Sequence, residues 1–219
     1  GGTFTNIGGS ARNYAAALSN STGLASAWNP NLNNAVTSLA LNGSTMYLGG
    51  SFTTANGGTS RPRIAAVDTT AGTATAWNPK LNNTVLGLAF SGTTVFVTGY
   101  ATSYNVTTRN GAAAIDVATG TLKSWDPNVG GIANATVWTM VVNGSTVYLG
   151  GAFTQVNGGT NRNMVAAVDA TTGTATTFNP NVSATVYTMA LSGTTLYIGG
   201  QFGTVNGGTV RNCAAALDT

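Results

Sequence analysis

Eight basic and five acidic side chains are all the charge this chain carries, and their spacing is the first thing that could do chemistry. Arginines stand at Arg12, Arg61, Arg109, Arg162 and Arg211, in steps of 49, 48, 53 and 49 residues. Four of them are followed seven residues later by an aspartate: Asp68, Asp116, Asp169 and Asp218. Arg12 is followed instead by Ser19. Guanidinium groups gathered on one surface would make a ring of ligand contacts. The odd separation argues otherwise, because it puts Arg and Asp on opposite faces of a regular strand. Asp68, Asp116 and Asp169 also each precede a glycine by four residues, where a carboxylate bonds its own turn. The expected roles are therefore structural: Asp caps a turn, and Arg braces a neighbouring loop or carboxylate.

Catalysis has little to work with. Acid–base hydrolysis needs two carboxyl groups held near one another with separated pKa values. Only Asp126 lies outside the turn positions, Glu is absent and there is no His. A zinc site of the His/Cys kind is excluded by composition, and no clustered-Asp calcium motif occurs. Cys213 is the single cysteine, so no intrachain disulfide forms. It shares its repeat position with Tyr14, Arg63, Gly111 and Met164. So varied a position is expected to be partly exposed, and a thiol without an activating neighbour is inert. The expectation is a chain that is not an enzyme and holds no cofactor or metal.

Charged residues make up 6% of the chain, against about 25% in an ordinary soluble domain. The net charge is +3 with no basic cluster, which removes the counterion-displacing face that nucleic acid requires. The aromatic residues recur at repeat positions and not beside basic ones, so a base-stacking platform is not expected either. No stretch is long and apolar enough to span a bilayer as a helix. Thr, Val, Asn and Gly dominate, a mixture suited to pleated strands and tight turns. Few charges also leave self-association weakly opposed. The chain opens at Gly1-Gly2-Thr3-Phe4 without a secretion signal, as if inside a repeat. That reads as a processed mature form or the ordered piece of something larger.

The elements that position these residues come from self-similarity. Trp28-Asn29-Pro30 returns as Trp77-Asn78-Pro79, Trp125-Asp126-Pro127 and Phe178-Asn179-Pro180, in steps of 49, 48 and 53. The long step coincides with that of the arginines, and its cause is an insertion at 128–135. Each repeat is expected to hold four short antiparallel strands, illustrated by 36–41, 45–53, 63–68 and 73–77. Asn42-Gly43 predicts a type I′ hairpin between the first two. Met46, Leu48, Gly50 and Phe52 share one face of the second strand, and Tyr47, Gly49 and Ser51 the other. Asn56-Gly57-Gly58 marks the next turn, and Pro79 ends the ladder. The repeats fall at 35–79, 85–127 and 137–180, with partial ones at 1–30 and 186–219.

The expected class is therefore all-β: tandem four-stranded antiparallel blades forming a β-propeller, or alternatively an open stack of blade-like sheets. The run Tyr47-Leu48-Gly49-Gly50-Ser51-Phe52-Thr53, with Asn56-Gly57-Gly58, Arg61, Ala65-Ala66-Val67-Asp68, Gly72 and Trp77-Asn78-Pro79, resembles the delta-60 repeat. It returns at 148–180, in part at 197–218, and more weakly at 96–116. The resemblance implies a β-propeller-type repeat of bacterial surface and secreted proteins, and hence an extracellular or cell-surface location. It says little about function.

The partial repeats leave unpaired strand edges at both ends, which invite pairing with another chain. The expected partners are copies of the same chain, giving a filament or surface-layer subunit, or the rest of a longer chain. The Trp28, Trp77, Trp125 and Phe178 positions read as core between adjacent sheets rather than a sugar-stacking platform. The competing reading is a glycan- or ligand-binding module of a larger secreted adhesin. In it the departures from the repeat at 128–135 and 100–108 supply loop contacts, with Tyr104 and Trp138 as the candidates. Asn-x-Ser/Thr triplets at Asn20, Asn42, Asn82, Asn105, Asn134, Asn143 and Asn181 are candidate glycosylation sites.

Overall fold

The computed structural model describes all 219 residues, Gly1–Thr219. The chain is all-β and antiparallel, without helices. Four three-stranded sheets follow one another along the chain. Sheet I comprises Val36–Asn42, Thr45–Gly50 and Ile64–Asp68. Sheet II comprises Val85–Ser91, Thr94–Gly99 and Ala112–Asp116. Sheet III comprises Thr136–Asn143, Thr146–Ala152 and Val165–Asp169. Sheet IV comprises Val186–Ser192, Thr195–Gly200 and Ala214–Asp218. In each the second strand is central.

Between the second and third strands lies a two-residue-strand hairpin, such as Thr54–Ala55 with Thr59–Ser60. The N-terminal unit keeps only such a hairpin, Asn6–Ile7 with Ser10–Ala11, and the stretch through Trp28. The fourth strand expected at 73–77 is reduced to a single bridge, Val67 with Ala74, repeated as Ile115 with Leu122 and Val168 with Ala175. The reason is visible in the hydrogen bonds. Asp68 N–H donates to the Thr73 carbonyl and Thr75 N–H to the Ala66 carbonyl, and then Trp77 turns away into the core.

The hairpin between the first two strands also differs from expectation. Asn42 pairs with Thr45, so the loop is Gly43-Ser44. Positive φ falls on Gly43 (58°) and not on Asn42, the type II′ pattern with glycine at the first central position. Cys213 is exposed, while its counterparts Tyr14, Arg63 and Met164 are half-buried and Gly111 is buried; the position is left-handed in every copy, with φ of 62–73°.

Both faces of the second strands of sheets I, II and III are buried, against different neighbours, while that of sheet IV buries one face. Leu48 belongs to a core shared with the N-terminal unit, which holds Ala15, Trp28 and Leu32. Tyr47 belongs to a core shared with sheet II, with Trp77, Val85 and Val97. Two more such cores lie between sheets II and III and between III and IV. The sheets are thus stacked face to face, with a core in each junction. Their first strands lie side by side, I beside II, II beside III and III beside IV. No comparable packing brings sheet IV back to sheet I. The stack is open.

Glycine makes the close approach possible. A Cβ on Gly49 would meet Cγ1 of Val85 in the next sheet at 2.5 Å. In sheet II the equivalent residue is Thr98, fully buried, and there its cross-strand partner is Gly87 instead of a serine or threonine.

Candidate functional site

The arginines act on the backbone. Arg12 donates from Nη1 to the Ala11 carbonyl and from Nη2 to the Ser26 carbonyl at 2.5 Å. Arg61, Arg109 and Arg162 repeat this on the carbonyls of Thr75, Lys123 and Thr176, each 14 residues on. They fasten the stretch before each Trp or Phe to the hairpin. The aspartates close turns. Asp68 Oδ1 accepts from the N–H groups of Thr70 and Ala71, and Oδ2 from that of Thr73. Those bonds, the one from Ala71 above all, hold its carboxyl below the usual range. Asp116 and Asp169 are lowered likewise, chiefly by the N–H groups of Thr119 and Thr172. Asp126 accepts from Asn128 N–H and lies 3.6 Å from Arg109. These charges are spent on local geometry, and no three acid or thiol side chains gather as a metal cluster.

The tryptophans are buried in the junctions, where each ties one unit to the next. Nε1 of Trp28, Trp77 and Trp125 donates to the carbonyl of Asp68, Asp116 and Asp169, at 2.8, 3.0 and 2.9 Å. Phe178 fills the fourth position without a donor. A ring from a second strand meets three of these edge-on: Tyr47 on Trp77 at 5.1 Å, Phe96 on Trp125 at 4.9 Å and Tyr148 on Phe178 at 5.5 Å. Trp28 has no such partner.

The two proposed loop contacts separate. Tyr104 is not a surface residue: it is 1% exposed. It is the second residue of a hairpin strand, the inward position that Ala55, Val156 and Val205 fill elsewhere. Burial pushes its phenol well above the ordinary value, and its hydroxyl finds no hydrogen-bond partner. The segment 128–135 is anchored at its start, through Gly130 bridged to Gln155 and Val129 in the core, while residues 131–134 are exposed.

Trp138 is only partly buried and lies on a strand, not a loop. The first strand of every sheet carries a register shift at one position, occupied by Thr37, Leu86, Trp138 and Tyr187. A bulge of this kind re-aims a side chain. In sheets III and IV the bulged residues are aromatic: Trp138 meets Tyr100, just past the second strand of sheet II, and Tyr187 meets Trp138. Tyr100 to Trp138 and Trp138 to Tyr187 are each 5.6 Å between ring centroids, at 81° and 77°. The result is a partly exposed aromatic ladder across three sheets. Tyr187 escapes sequence reading because a bulge breaks the alternation that assigns faces, and Tyr100 because it lies just past its strand, where no alternation runs.

The ends of the stack form the other candidate surface. At the N-terminal end a groove is lined by Ala16, Ala17, Trp28, Leu39 and Met46. Leu41 beside it is 60% exposed. At the C-terminal end Tyr197 is 50% exposed, with Ala214 and Ala216 also open to solvent. Their counterparts Tyr47, Ile64 and Ala66 are buried in the junction of sheets I and II.

The glycosylation candidates Asn20, Asn82, Asn105, Asn134, Asn143 and Asn181 are exposed, and Asn42 is half-buried at a strand end. Asn82 already uses its carboxamide. Oδ1 accepts from Thr102 and Ser103 N–H, and Nδ2 donates to the Thr102 hydroxyl.

No family model matches the chain, and no curated protein sequence is significantly similar to it. Solved structures do share its fold. The computationally designed protein Ika4 is 16% identical, with a TM-score of 0.53 over 85% of this chain and 92% of that one. The designed protein Ika8 is 17% identical, with a TM-score of 0.60 over 89% of this chain, which spans 52% of Ika8. An extracellular domain of a proposed one-component system from B. thetaiotaomicron is 14% identical, with a TM-score of 0.50 over 80% of this chain and 21% of that one. At these identities the likeness is one of fold: repeated antiparallel β-sheets. No helix of the chain is long and apolar enough to cross a membrane.

Proposed function

We propose that this chain is a non-catalytic structural module of the β-propeller type, outside the cell or at its surface, whose work is to assemble. The observation that carries this reading is the junction that recurs between successive units: an apolar core in each, and an indole N–H to main-chain carbonyl bond in three of the four, so that a further unit, from another copy or from a longer chain, fits on the same terms. The outermost faces have the same chemistry: Leu39 and Leu41 on one and Tyr197 and Ala216 on the other are exposed, where their counterparts inside are buried or half-buried. A charge content of 6% does little to keep such faces apart. The extracellular assignment draws on the delta-60 resemblance, the Thr- and Asn-rich surface and the extracellular domain among the structural neighbours. The test is sedimentation of the purified chain over a range of concentrations, followed by electron microscopy. Regular filaments or sheets of a 21.9 kDa subunit are the expected result. A species that stays monomeric at the highest concentration overturns the reading.

The Tyr100–Trp138–Tyr187 ladder favours a second reading, a glycan-binding face. Binding on a glycan array that is lost in Trp138→Ala, with Tyr104→Phe unaffected, is the result that would put it first.

A further inference from the structure

In two of the short hairpins between second and third strands, an asparagine does the same work. In sheet I, Asn56 N–H donates to the Pro30 carbonyl at 2.7 Å. Its side chain holds the turn after the third strand: Nδ2 donates to the Gly72 carbonyl at 2.9 Å, and Oδ1 accepts from Ala74 N–H at 2.7 Å. Asn157 of sheet III repeats all three bonds. It uses the Pro127 carbonyl at 2.7 Å, the Gly173 carbonyl at 2.9 Å and Ala175 N–H at 2.7 Å. The carbonyl of a preceding proline and the carbonyl and N–H of a turn thus converge on one asparagine residue.

Sheet II has the same three groups and no asparagine on them. Its hairpin loop is one residue shorter, Asn105-Val106 in place of Asn56-Gly57-Gly58 or Asn157-Gly158-Gly159. Asn105 N–H has moved on to the Lys80 carbonyl, and its carboxamide makes neither of the turn bonds that Asn56 and Asn157 make. The Pro79 carbonyl, the Gly120 carbonyl and Leu122 N–H are the counterparts of the three converging groups, and they meet no partner. Gly120 is half-buried, where Gly72 and Gly173 are buried. Pro79, Lys80, Asn105, Gly120 and Leu122 all line one cleft of about 390 Å³. That is within the range of small-molecule sites, roughly 300–1,000 Å³. Asn78 and Tyr104 line it too, and each holds a buried polar atom without a partner, Oδ1 in the first and the hydroxyl in the second.

The cleft also carries a change of charge. The residue after each proline of this series is left-handed: Asn31, Asn128 and Asn181 at φ of 43°, 39° and 41°, and Lys80 at 53°. Asparagine takes that conformation routinely and lysine rarely. Lys80 is exposed and belongs to neither ion pair of the chain. A strained residue that departs from its repeat beside a cleft points to function. We propose that the cleft binds asparagine as a ligand, as the free amino acid or as the C-terminal residue of a peptide. Its carboxamide takes the Gly120 carbonyl and Leu122 N–H as Asn56 and Asn157 take theirs. Its α-nitrogen donates to the Pro79 carbonyl, and its α-carboxylate pairs with Lys80. A secondary amide does not replace the carboxamide, because its trans N–H and C=O point in opposite directions. Aspartate does not either, since a carboxylate has no donor for the Gly120 carbonyl. Binding is independent of assembly, because the cleft lies between successive units and not on an outer face of the stack.

The experiment is titration of the isotope-labelled chain with L-asparagine, followed by NMR through the amide resonances of Leu122 and Asn105. Saturable shifts are expected, with L-aspartate and L-glutamine weaker by about tenfold or more. Lys80→Asn installs the residue found at Asn31, Asn128 and Asn181 and keeps the left-handed backbone. It is expected to weaken L-asparagine about tenfold and to leave a Gly-Gly-Asn methylamide, which has no carboxylate, unchanged. Whichever of L-asparagine and the Gly-Gly-Asn peptide binds more tightly identifies the source of the ligand. A second variant, Val106→Gly with one further glycine inserted after it, restores the Asn-Gly-Gly loop of sheets I and III. Asn105 then takes the turn itself, and the shifts are expected to vanish while circular dichroism stays native. Binding that survives in this variant places the ligand elsewhere and overturns the proposal. Equal affinity for asparagine, aspartate and glutamine overturns it, and so does the absence of shifts up to the solubility of L-asparagine.

Discussion

The junction between sheets I and II and the N-terminal end of the stack are the same place in the repeat, once complete and once half built. In the first, Tyr47 closes over Trp77 and Phe90, and the Trp77 N–H reaches the Asp116 carbonyl. In the second, Trp28 makes the same bond to Asp68 but no ring covers it. The difference separates two jobs that one residue type performs. The tryptophan holds a unit to its successor by a hydrogen bond and buried area. The tyrosine of the second strand seals the seam. A unit without its tyrosine is still attached but presents apolar surface.

The largest effect expected from breaking this comparison is in the tyrosines. Tyr47→Ala empties a packed junction and is expected to cost about 3–4 kcal/mol of stability, read from urea denaturation. Tyr197→Ala removes a half-exposed ring and is expected to cost less than ~1 kcal/mol in the isolated chain. The same change should abolish concentration-dependent sedimentation. Equal stability losses at the two positions would mean that the ends are packed like the interior.

The tryptophan bond is smaller. Trp125→Phe keeps the ring contact with Phe96 and removes the indole bond to the Asp169 carbonyl, which still accepts from Gly173 N–H, a loss of about 1 kcal/mol. Phe178 shows that the position accepts a ring without a donor. An unchanged denaturation midpoint for Trp125→Phe would remove the bond from the account of unit-to-unit attachment.

Acid sharpens the comparison further. Asp68, Asp116 and Asp169 have folded pKa values below their ordinary 3.8. Their stabilisation is therefore complete above the unfolded value and is lost as pH falls through the lower folded value. The urea midpoint should fall on acidification below about pH 4. Asp116→Asn should flatten part of that fall. The N-terminal unit, with Ser19 at the equivalent position, contributes nothing to it. A midpoint independent of pH in this window would contradict the turn-capping role.

The smallest effect is expected at Tyr104. Its hydroxyl is buried and unpaired, so Tyr104→Phe should leave stability unchanged or raise it by up to ~1 kcal/mol. A clear loss would reveal a polar partner for that hydroxyl.

Much of this was legible without coordinates. The recurrence of Trp28, Trp77, Trp125 and Phe178 placed them in the junctions, because a ring that returns beside proline fills one repeated pocket. The Arg and Asp spacing pointed to bracing and capping, and the side chains do both. The alternation in Thr45–Gly50 divided its side chains between two faces, and the faces do lie in two different cores. Other features were hidden. Tyr104 and Trp138 look alike as aromatic departures from the repeat, yet one is inside and the other partly out. Facing is set for the first by a two-residue hairpin strand and for the second by a bulge, and neither has a period to read. Asn42-Gly43 carries a type I′ signature, yet the pairing of Asn42 with Thr45 moved the loop on by one residue.

The amino-acid pattern alone determined the repeat, its strand-and-turn content and its charge-poor surface. Each is read from residue types and their spacing: β-branched alternation, glycine at left-handed positions and few charged residues. The tertiary structure alone decided that the fourth strand dwindles to one bridge and that Tyr100, Trp138 and Tyr187 meet. It also decided that sheet IV does not pack back on sheet I, that Tyr197 is half-exposed and that no ring meets Trp28 edge-on. Those outcomes depend on how twist and stacking accumulate from sheet to sheet. That sum is taken over the whole chain, and no single repeat carries it.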